Sequence, residues 1–174
     1  MSAQDYGHLV MALIGVSLLA ALPGWTRAGR LIWPPFATAV LLAALAVAGG
    51  APDIEFADNA RTAIAVALAG ALAVIGGGPV TTLLFRLVDQ KWSDGLEAAA
   101  PPRSGLAIGL LERAAVFVSL VAAFPAGVAI ALAVKAVGRY PQLRAPGAGE
   151  RFIIGTFASV LWATACAGVI LLAR

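Results

Sequence analysis

The stretch FIIGTFASVLWATACAGVILLA, residues 152–173, decides the fold class of this chain. It contains no charged side chain, and its length matches the roughly 17–25 apolar residues that an α-helix needs to cross a bilayer. Hydrocarbon offers no water to the backbone, so such a segment spans as a helix, in which the peptide groups bond to one another. The sequence therefore predicts at least one transmembrane α-helix.

Five further apolar runs precede this segment. The composition agrees with a membrane protein, because 61% hydrophobic and 12% charged residues leave too little polar surface for a water-soluble fold. We predict an all-α polytopic bundle that forms one transmembrane domain over residues 1–174. Its helices are expected at about 6–23, 31–48, 60–76 with a broken continuation over 80–91, 105–123, 126–140 and 152–173.

The first apolar run has an alternative interpretation, a cleaved signal peptide. Such peptides begin with a basic region, whereas residues 1–5 of this chain contain an acidic residue and neither Lys nor Arg. We therefore expect a retained helix whose N-terminus lies outside the cytoplasm.

Positive charge is distributed unevenly among the connections between these runs. Of the 12 Lys and Arg residues, only Arg61 and Arg174 lie outside the first, third and fifth connections and the helix ends beside them. Short loops rich in Lys and Arg stay in the cytoplasm. The pattern predicts six transmembrane helices with both termini extracytoplasmic. The excess of Arg over Lys and the abundant Ala favour a bacterial source, and hence the bacterial cytoplasmic (inner) membrane.

The composition excludes several kinds of site. One histidine, His8, and one cysteine, Cys166, rule out an internal disulfide, a multi-histidine metal site and a haem held by two histidines of this chain. Long apolar runs separate the basic residues, which argues against a nucleic-acid surface. Motifs of rhomboid-type, zinc-peptidase, P-loop and paired-aspartate enzymes are missing, which disfavours an enzyme. We expect no cofactor and no metal.

Charged residues inside the apolar runs are the most informative local feature. Glu112 and Arg113 lie about 10 Å from the cytoplasmic edge of their helix, and Lys135 lies about 8 Å deep in the next. The similar depth allows an ion pair between Glu112 and Lys135, with Arg139 one turn further along the same face. A charge at the bilayer centre costs about 3 kcal/mol, so such residues usually pair or line a wet cavity.

Two interpretations of this cluster stay open. In the first, the ion pair only fixes the helical hairpin, while Arg139, Arg144 and Arg151 reach out to lipid phosphates. In the second, Arg113, Lys135 and Arg139 line a pocket that faces the cytoplasm. They would hold an anionic head group or another anionic ligand there, with the neighbouring glutamate orienting them.

The residues Gly76-Gly77-Gly78-Pro79 interrupt the third apolar run. Glycine and proline both disfavour a helix interior, so we expect a kink or an unwound turn. Residues 80–91 would then leave the bilayer or lie along its surface. An unwound turn can expose backbone groups to a bound ion or substrate, whereas a simple kink requires the same residue types without any binding role.

Small residues four apart suggest close contacts between helices. Ala63-Ala67-Ala71 and Gly105-Gly109 have this spacing, which lets helix backbones approach in a membrane. In an alanine-rich chain the spacing also arises by chance, so we interpret it as general packing and assign no dimer face.

Three motifs in the C-terminal part occur in a characteristic order. They are IGLLER at 108–113, KAVGRY at 135–140 and ERFIIGT at 150–156. Over about residues 105–165 the chain resembles a family of uncharacterised bacterial multi-pass membrane proteins with the motifs I-G-x-L-E-R, K-x-x-x-R-[FY] and E-x-F-[IL]-I-G-T. The resemblance implies a multi-pass membrane protein and supplies no activity. It points to Glu150 in addition to the cluster residues, and Arg151 stands beside it.

The sequence favours a small non-enzymatic accessory or partner subunit. Its cytoplasmic charged cluster would bind anionic lipid head groups or a protein partner, and a membrane-protein partner or a homo-oligomer would complete the assembly. The alternative is a small transporter, or a substrate-binding subunit of a transport system, that uses the broken third helix and the charged hairpin. No inverted repeat relates the two halves, which weakens a self-contained transporter.

Overall fold

The fold is given by a computed structural model that describes residues 2–56, 58–89, 103–141 and 147–173. This part of the chain contains six α-helices, a short 3₁₀ turn at Pro23–Trp25 and no β-strand. The helices are α1 (Ala3–Ala21), α2 (Trp33–Gly50), α3 (Asn59–Asp89), α4 (Arg103–Val121), α5 (Ala126–Arg139) and α6 (Ala148–Leu172). The predicted all-α class is confirmed for these residues.

Four of the helices are long and apolar enough to cross a membrane. Their spans are Ala3–Trp25, Trp33–Gly50, Asn59–Val88 and Ala148–Leu172, with mean hydropathies between 1.5 and 2.0. The other two helices are α4, which carries Glu112 and Arg113 in its middle, and α5, which has only 14 residues. The chain is therefore a helical bundle with the character of a membrane protein.

Of the two expectations for residues 76–79, a kink or an unwound turn, the unwound turn does not occur. α3 is a single helix of 31 residues with Pro79 in its interior. Thr81 Oγ1 donates to Gly77 O at 2.7 Å and Thr82 Oγ1 donates to Gly78 O at 2.9 Å, so side chains add bonds to this weakened part of the helix. Threonines and neighbouring helices make Gly and Pro tolerable inside a transmembrane helix. Residues 80–89 consequently continue α3.

Other predicted features lie outside the described residues. These are Lys91 at the end of the third run and the basic residues Arg144 and Arg174. Among the described helix limits, the start of α6 differs most from its prediction: the helix begins at Ala148 and not at 152. Gly147, with φ 73°, turns the chain into α6, and Glu150 in the first turn suits the positive end of the helix dipole.

Alanine side chains form much of the packing between helices. Ala65, Ala69 and Ala73 of α3 are fully or almost fully buried, and these residues lie four apart. Small residues at this spacing let two helix backbones approach closely. The stripe suggested by the sequence is shifted from the buried one, because Ala63 and Ala67 are exposed. Spacing predicted the kind of contact but not the face of the helix.

The two ends of the bundle differ in charge. At one end the N-terminus of α1 meets the connection between α2 and α3, where Glu55 N donates to Ala3 O at 3.2 Å and Arg61 Nη1 lies 2.7 Å from His8 Nε2. At the other end lie the end of α3, the starts of α4 and α6, and the end of α5. We call this second end the basic end, defined by Arg27, Arg30, Arg86, Arg139 and Arg151.

Candidate functional site

A cavity of about 560 Å³ lies at the basic end, between α3, α4, α5 and α6. Five of the six charged residues predicted for the site line this cavity: Glu112, Arg113, Lys135, Arg139 and Arg151. The sixth, Glu150, is exposed in the first turn of α6 and does not line the cavity. The fold thus brings the charged hairpin and the start of α6 together around one space.

Glu112 and Lys135 form the predicted ion pair between α4 and α5. Lys135 Nζ donates to Glu112 Oε2, and the exposed fractions of the two side chains are 16% for Lys135 and 3% for Glu112. Lys135 Nζ also lies 5.5 Å from the centre of the Phe152 ring on α6, within the range of a cation–π interaction. The pair therefore connects both helices of the hairpin to a third helix.

Arg113 is only 4% exposed and bonds to two other helices. Its Nε donates to Val74 O of α3 at 2.9 Å, and its Nη1 lies 3.5 Å from Ser159 Oγ of α6. In the described ranges no carboxylate forms an ion pair with Arg113. Neutral oxygens hold this guanidinium in place, and its positive charge stays available to the cavity.

The glycines at 76–78 allow large side chains to approach α3. A Cβ added to each glycine in turn would lie 2.6 Å from Trp162 Cζ2, 2.5 Å from Arg113 Cδ and 2.5 Å from Trp25 Cη2. Real Cβ atoms are essentially not found at such distances, so a side chain at any of these positions would force its neighbour to move. Residues 76–79 are thus a junction where α4, α6 and the 3₁₀ turn meet α3, and Gly77 leaves room for Arg113 beside the cavity.

The charges around the cavity do not balance. Among the described residues, four cationic side chains and one carboxylate line it, so the cationic side chains outnumber the carboxylate by three. Positive charge inside a low-dielectric bundle raises the local concentration of anions. The lining also includes Phe85, Leu106 and Ile108, so apolar surface lies beside the charges. The arrangement can accept an anionic group together with an apolar one.

Two buried polar atoms of the lining have no hydrogen-bond partner within the part of the chain that the structure describes. They are Glu112 Oε1 and Thr156 Oγ1. An unsatisfied buried polar atom costs about 1–3 kcal/mol. Thr156 belongs to the third sequence motif, but its spacing from the charged residues did not single it out, because α6 reaches the cavity only through tertiary packing.

A second cavity of about 160 Å³ shares Trp25 and Thr82 with the first. Arg27, Arg30 and Arg86 line it. The charge count assigned these arginines to two different cytoplasmic connections. It did not predict that the two connections would meet, since this depends on how α3 packs beside the 3₁₀ turn.

Comparison of the chain with protein-family models, with curated proteins and with solved structures gave no match. Within the described residues, no group of three or more His, Cys, Asp or Glu side chains could hold a metal ion. The cavity and its lining residues therefore provide the basis for a functional proposal.

Proposed function

We propose that this protein is a non-enzymatic bacterial inner-membrane protein whose cytoplasmic-side cavity binds an anionic lipid head group. The observation that carries the proposal is the excess of cationic side chains from three helices around a single cavity with apolar walls. Guanidinium groups bind phosphate oxygens through short, charge-assisted hydrogen bonds. A lipid would place its phosphate among the charges and its acyl chains against the apolar lining.

In this proposal all six helices cross the membrane and both termini are extracytoplasmic. The basic end then faces the cytoplasm, as Lys- and Arg-rich loops do. The 14 residues of α5 extend over only about 21 Å, less than the hydrocarbon thickness of about 30 Å. The cytoplasmic end of α5 would therefore lie below the head-group level and form a recess into which a head group could descend.

We further propose an accessory role, with a membrane-protein partner or a second copy of the chain beside the hairpin. None of the residues of α5 is fully buried, and Val134 and Val137 on this helix are 69% and 76% exposed. This face offers apolar surface to lipid or to a partner helix. Each of the three sequence motifs contributes residues to the cavity lining.

The transporter alternative depends on a broken third helix and a charged hairpin. The continuity of α3 through Pro79 weakens the first of these features, because no unwound turn is present to expose backbone groups. The hairpin alone remains in its favour, and a flux assay in proteoliposomes would test it directly.

Lipid retention by the purified protein tests the proposed function. In mild detergent, native mass spectrometry should detect an anionic phospholipid on the wild-type chain. The double variant Arg139→Gln/Arg151→Gln should lose it by roughly tenfold or more, since a hydrogen bond to a charged group contributes about 1.5–3 kcal/mol. Arg61→Gln, at the opposite end of the bundle, is the matched control and should retain the lipid. A folded double variant that keeps the wild-type lipid would contradict the proposal.

A further inference from the structure

We infer that the head group bound in this cavity carries hydroxyl groups beside its phosphate, as a glycerol phosphodiester does. This inference rests on the proposed function and names its ligand class. It comes from two buried polar atoms without a hydrogen-bond partner among the described residues, Glu112 Oε1 and Thr156 Oγ1, whose residues lie on different helices and line the same cavity.

The carboxylate of Glu112 calls for a hydrogen-bond donor on the ligand. Its Oε2 accepts from Lys135, whereas its Oε1 is buried and has no partner among the described residues. An ionised carboxylate oxygen only accepts hydrogen bonds. The phosphate of a phosphodiester has no proton to donate and would repel the carboxylate. The ligand must therefore present a donor that is chemically separate from its phosphate.

The surrounding charges decide which donor this is. An ammonium group, as in a zwitterionic head group, would approach Glu112 through a lining whose described cationic side chains outnumber the carboxylate by three. A phosphomonoester is mostly dianionic at pH 7 and presents mainly acceptors. A neutral hydroxyl meets neither objection. It can donate to Glu112 Oε1, and a second hydroxyl can exchange a hydrogen bond with Thr156 Oγ1.

The exposure of the lining residues gives the ligand an orientation. Glu112 is buried, whereas Arg151 is exposed and Arg139 is half-buried at the end of α5. The phosphate would lie in the outer part of the cavity against these two arginines. The hydroxyl groups would reach the inner part, where Glu112 and Thr156 lie.

A pair of lipids with equal charge isolates the hydroxyl contribution. Dihexanoyl phosphatidylglycerol and dihexanoyl phosphatidylmethanol have the same chains and the same single negative charge, but only the first has head-group hydroxyls. Calorimetric titration of the full chain in dodecyl maltoside should show tighter binding of phosphatidylglycerol by roughly tenfold. The free head group, glycerophosphoglycerol, should bind far more weakly than either lipid, because it has no acyl chains.

Thr156→Val is the variant that tests the inner site. Valine has nearly the same shape, and the hydroxyl it replaces has no partner among the described residues, so the protein should fold. The preference for phosphatidylglycerol should fall several-fold, and the affinity for phosphatidylmethanol should stay unchanged. Thr164→Val is the control, since Thr164 is exposed on the same helix and does not line the cavity.

The outcomes separate this inference from the proposed function. If neither lipid binds, both are overturned. If both lipids bind with equal affinity and Arg139→Gln weakens both, the proposed function stands and the inference fails, because water then satisfies the two atoms. If glycerophosphoglycerol binds as tightly as the lipid, the ligand is a soluble phosphodiester, and the lipid assignment is overturned.

Discussion

At Gly77 the backbone of α3 touches the aliphatic part of Arg113, and the guanidinium beyond it reaches Val74 O at 2.9 Å. Gly77→Ala would place a Cβ 2.5 Å from Arg113 Cδ and 2.9 Å from its Nε, so the side chain would have to move. We expect the free energy of unfolding to fall by about 1–3 kcal/mol, the usual cost of overpacking. Thermal unfolding in detergent measures this change.

Gly15→Ala is the matched control for Gly77→Ala. Gly15 lies inside α1, and no atom lies within 4 Å of a Cβ added there. Alanine favours a helix interior over glycine by about 0.5–1 kcal/mol, so this variant should be as stable as the wild type or more stable. Equal loss of stability in both variants would contradict the close contact at Gly77.

A second prediction for single residues concerns the ion pair between Glu112 and Lys135. Lys135→Gln would leave a carboxylate that is 3% exposed without its partner, which typically costs about 3–5 kcal/mol. In Glu112→Gln/Lys135→Gln neither charge remains, so the loss should be smaller than the sum of the two single losses. A double-mutant cycle by denaturant unfolding measures the difference, and strictly additive losses would contradict a coupled pair.

The exposed pair of Asp58 and Arg61 provides the contrast. These side chains are 57% and 43% exposed, and their N–O distance is 3.9 Å. Water screens such a pair, so Arg61→Gln should change the unfolding free energy by less than about 1 kcal/mol.

The contacts of single residues could be predicted from the sequence where local helix geometry was sufficient. The rise per residue in a helix and the short uncharged turn between two apolar runs were enough to bring Glu112 and Lys135 together. The partners of the glycines at 76–78 and the position of Thr156 could not be obtained in this way. They depend on Trp162, Arg113 and Trp25, which come from distant parts of the chain.

The turn between α4 and α5 contains a residue whose replacement should raise the stability of the protein. Ala123 has φ 55°, and the bonds Phe124 N to Ser119 O at 2.8 Å and Ala123 N to Leu120 O at 3.1 Å form a Schellman motif. The left-handed conformation costs a residue with a Cβ about 1–2 kcal/mol, and it costs glycine little.

Ala123→Gly should therefore raise the free energy of unfolding by about 1 kcal/mol. Ala122→Gly is the control, since Ala122 N donates to Val118 O at 2.9 Å in the helical pattern and gains nothing from glycine. Denaturant titration of the two variants compares them. Greater stabilisation by Ala122→Gly would show that the turn does not have this geometry.

Helix positions were predicted to within two residues where apolar length alone decides them, as in α2. The unwound turn expected as one possibility at residues 76–79 does not occur, because the intrinsic preferences of glycine and proline describe an isolated helix. In the bundle, Trp162 Nε1 donates to Leu72 O at 3.0 Å and large side chains pack on the glycines. These contacts stabilise a continuous α3. Tertiary packing outweighed local propensity.

For the whole molecule, the difference in charge between the two ends makes the proposed orientation testable. In intact cells an impermeant maleimide should label Gln4→Cys near the N-terminus and should label Arg27→Cys only after lysis. Both positions are exposed in the bundle. The native Cys166 is 1% exposed, so it gives little background. Labelling of Arg27→Cys in intact cells would show that this end of the bundle lies outside the cytoplasm and would contradict the proposed topology.

The class of the molecule could be read from composition, because burying so many apolar groups requires hydrocarbon or a large core. The cavity could not be predicted from composition. It requires α4 and α5 to lie beside α6, and neither hydropathy nor the distribution of charge determines which helices become neighbours in a bundle. Only five of the six charges chosen from the sequence line one space, because α6 turns Glu150 away from it.

The seclusion of Cys166 has a kinetic consequence. This thiol, the only one in the chain, lies in α6 and reacts with a reagent only during the moments when α6 separates from its neighbours. Its alkylation half-life in native membranes therefore measures how often the bundle opens, as exchange rates do for backbone amides. A ligand that binds only the closed bundle lengthens this half-life by mass action. Alkylation of Cys166 can therefore report whether a ligand is bound.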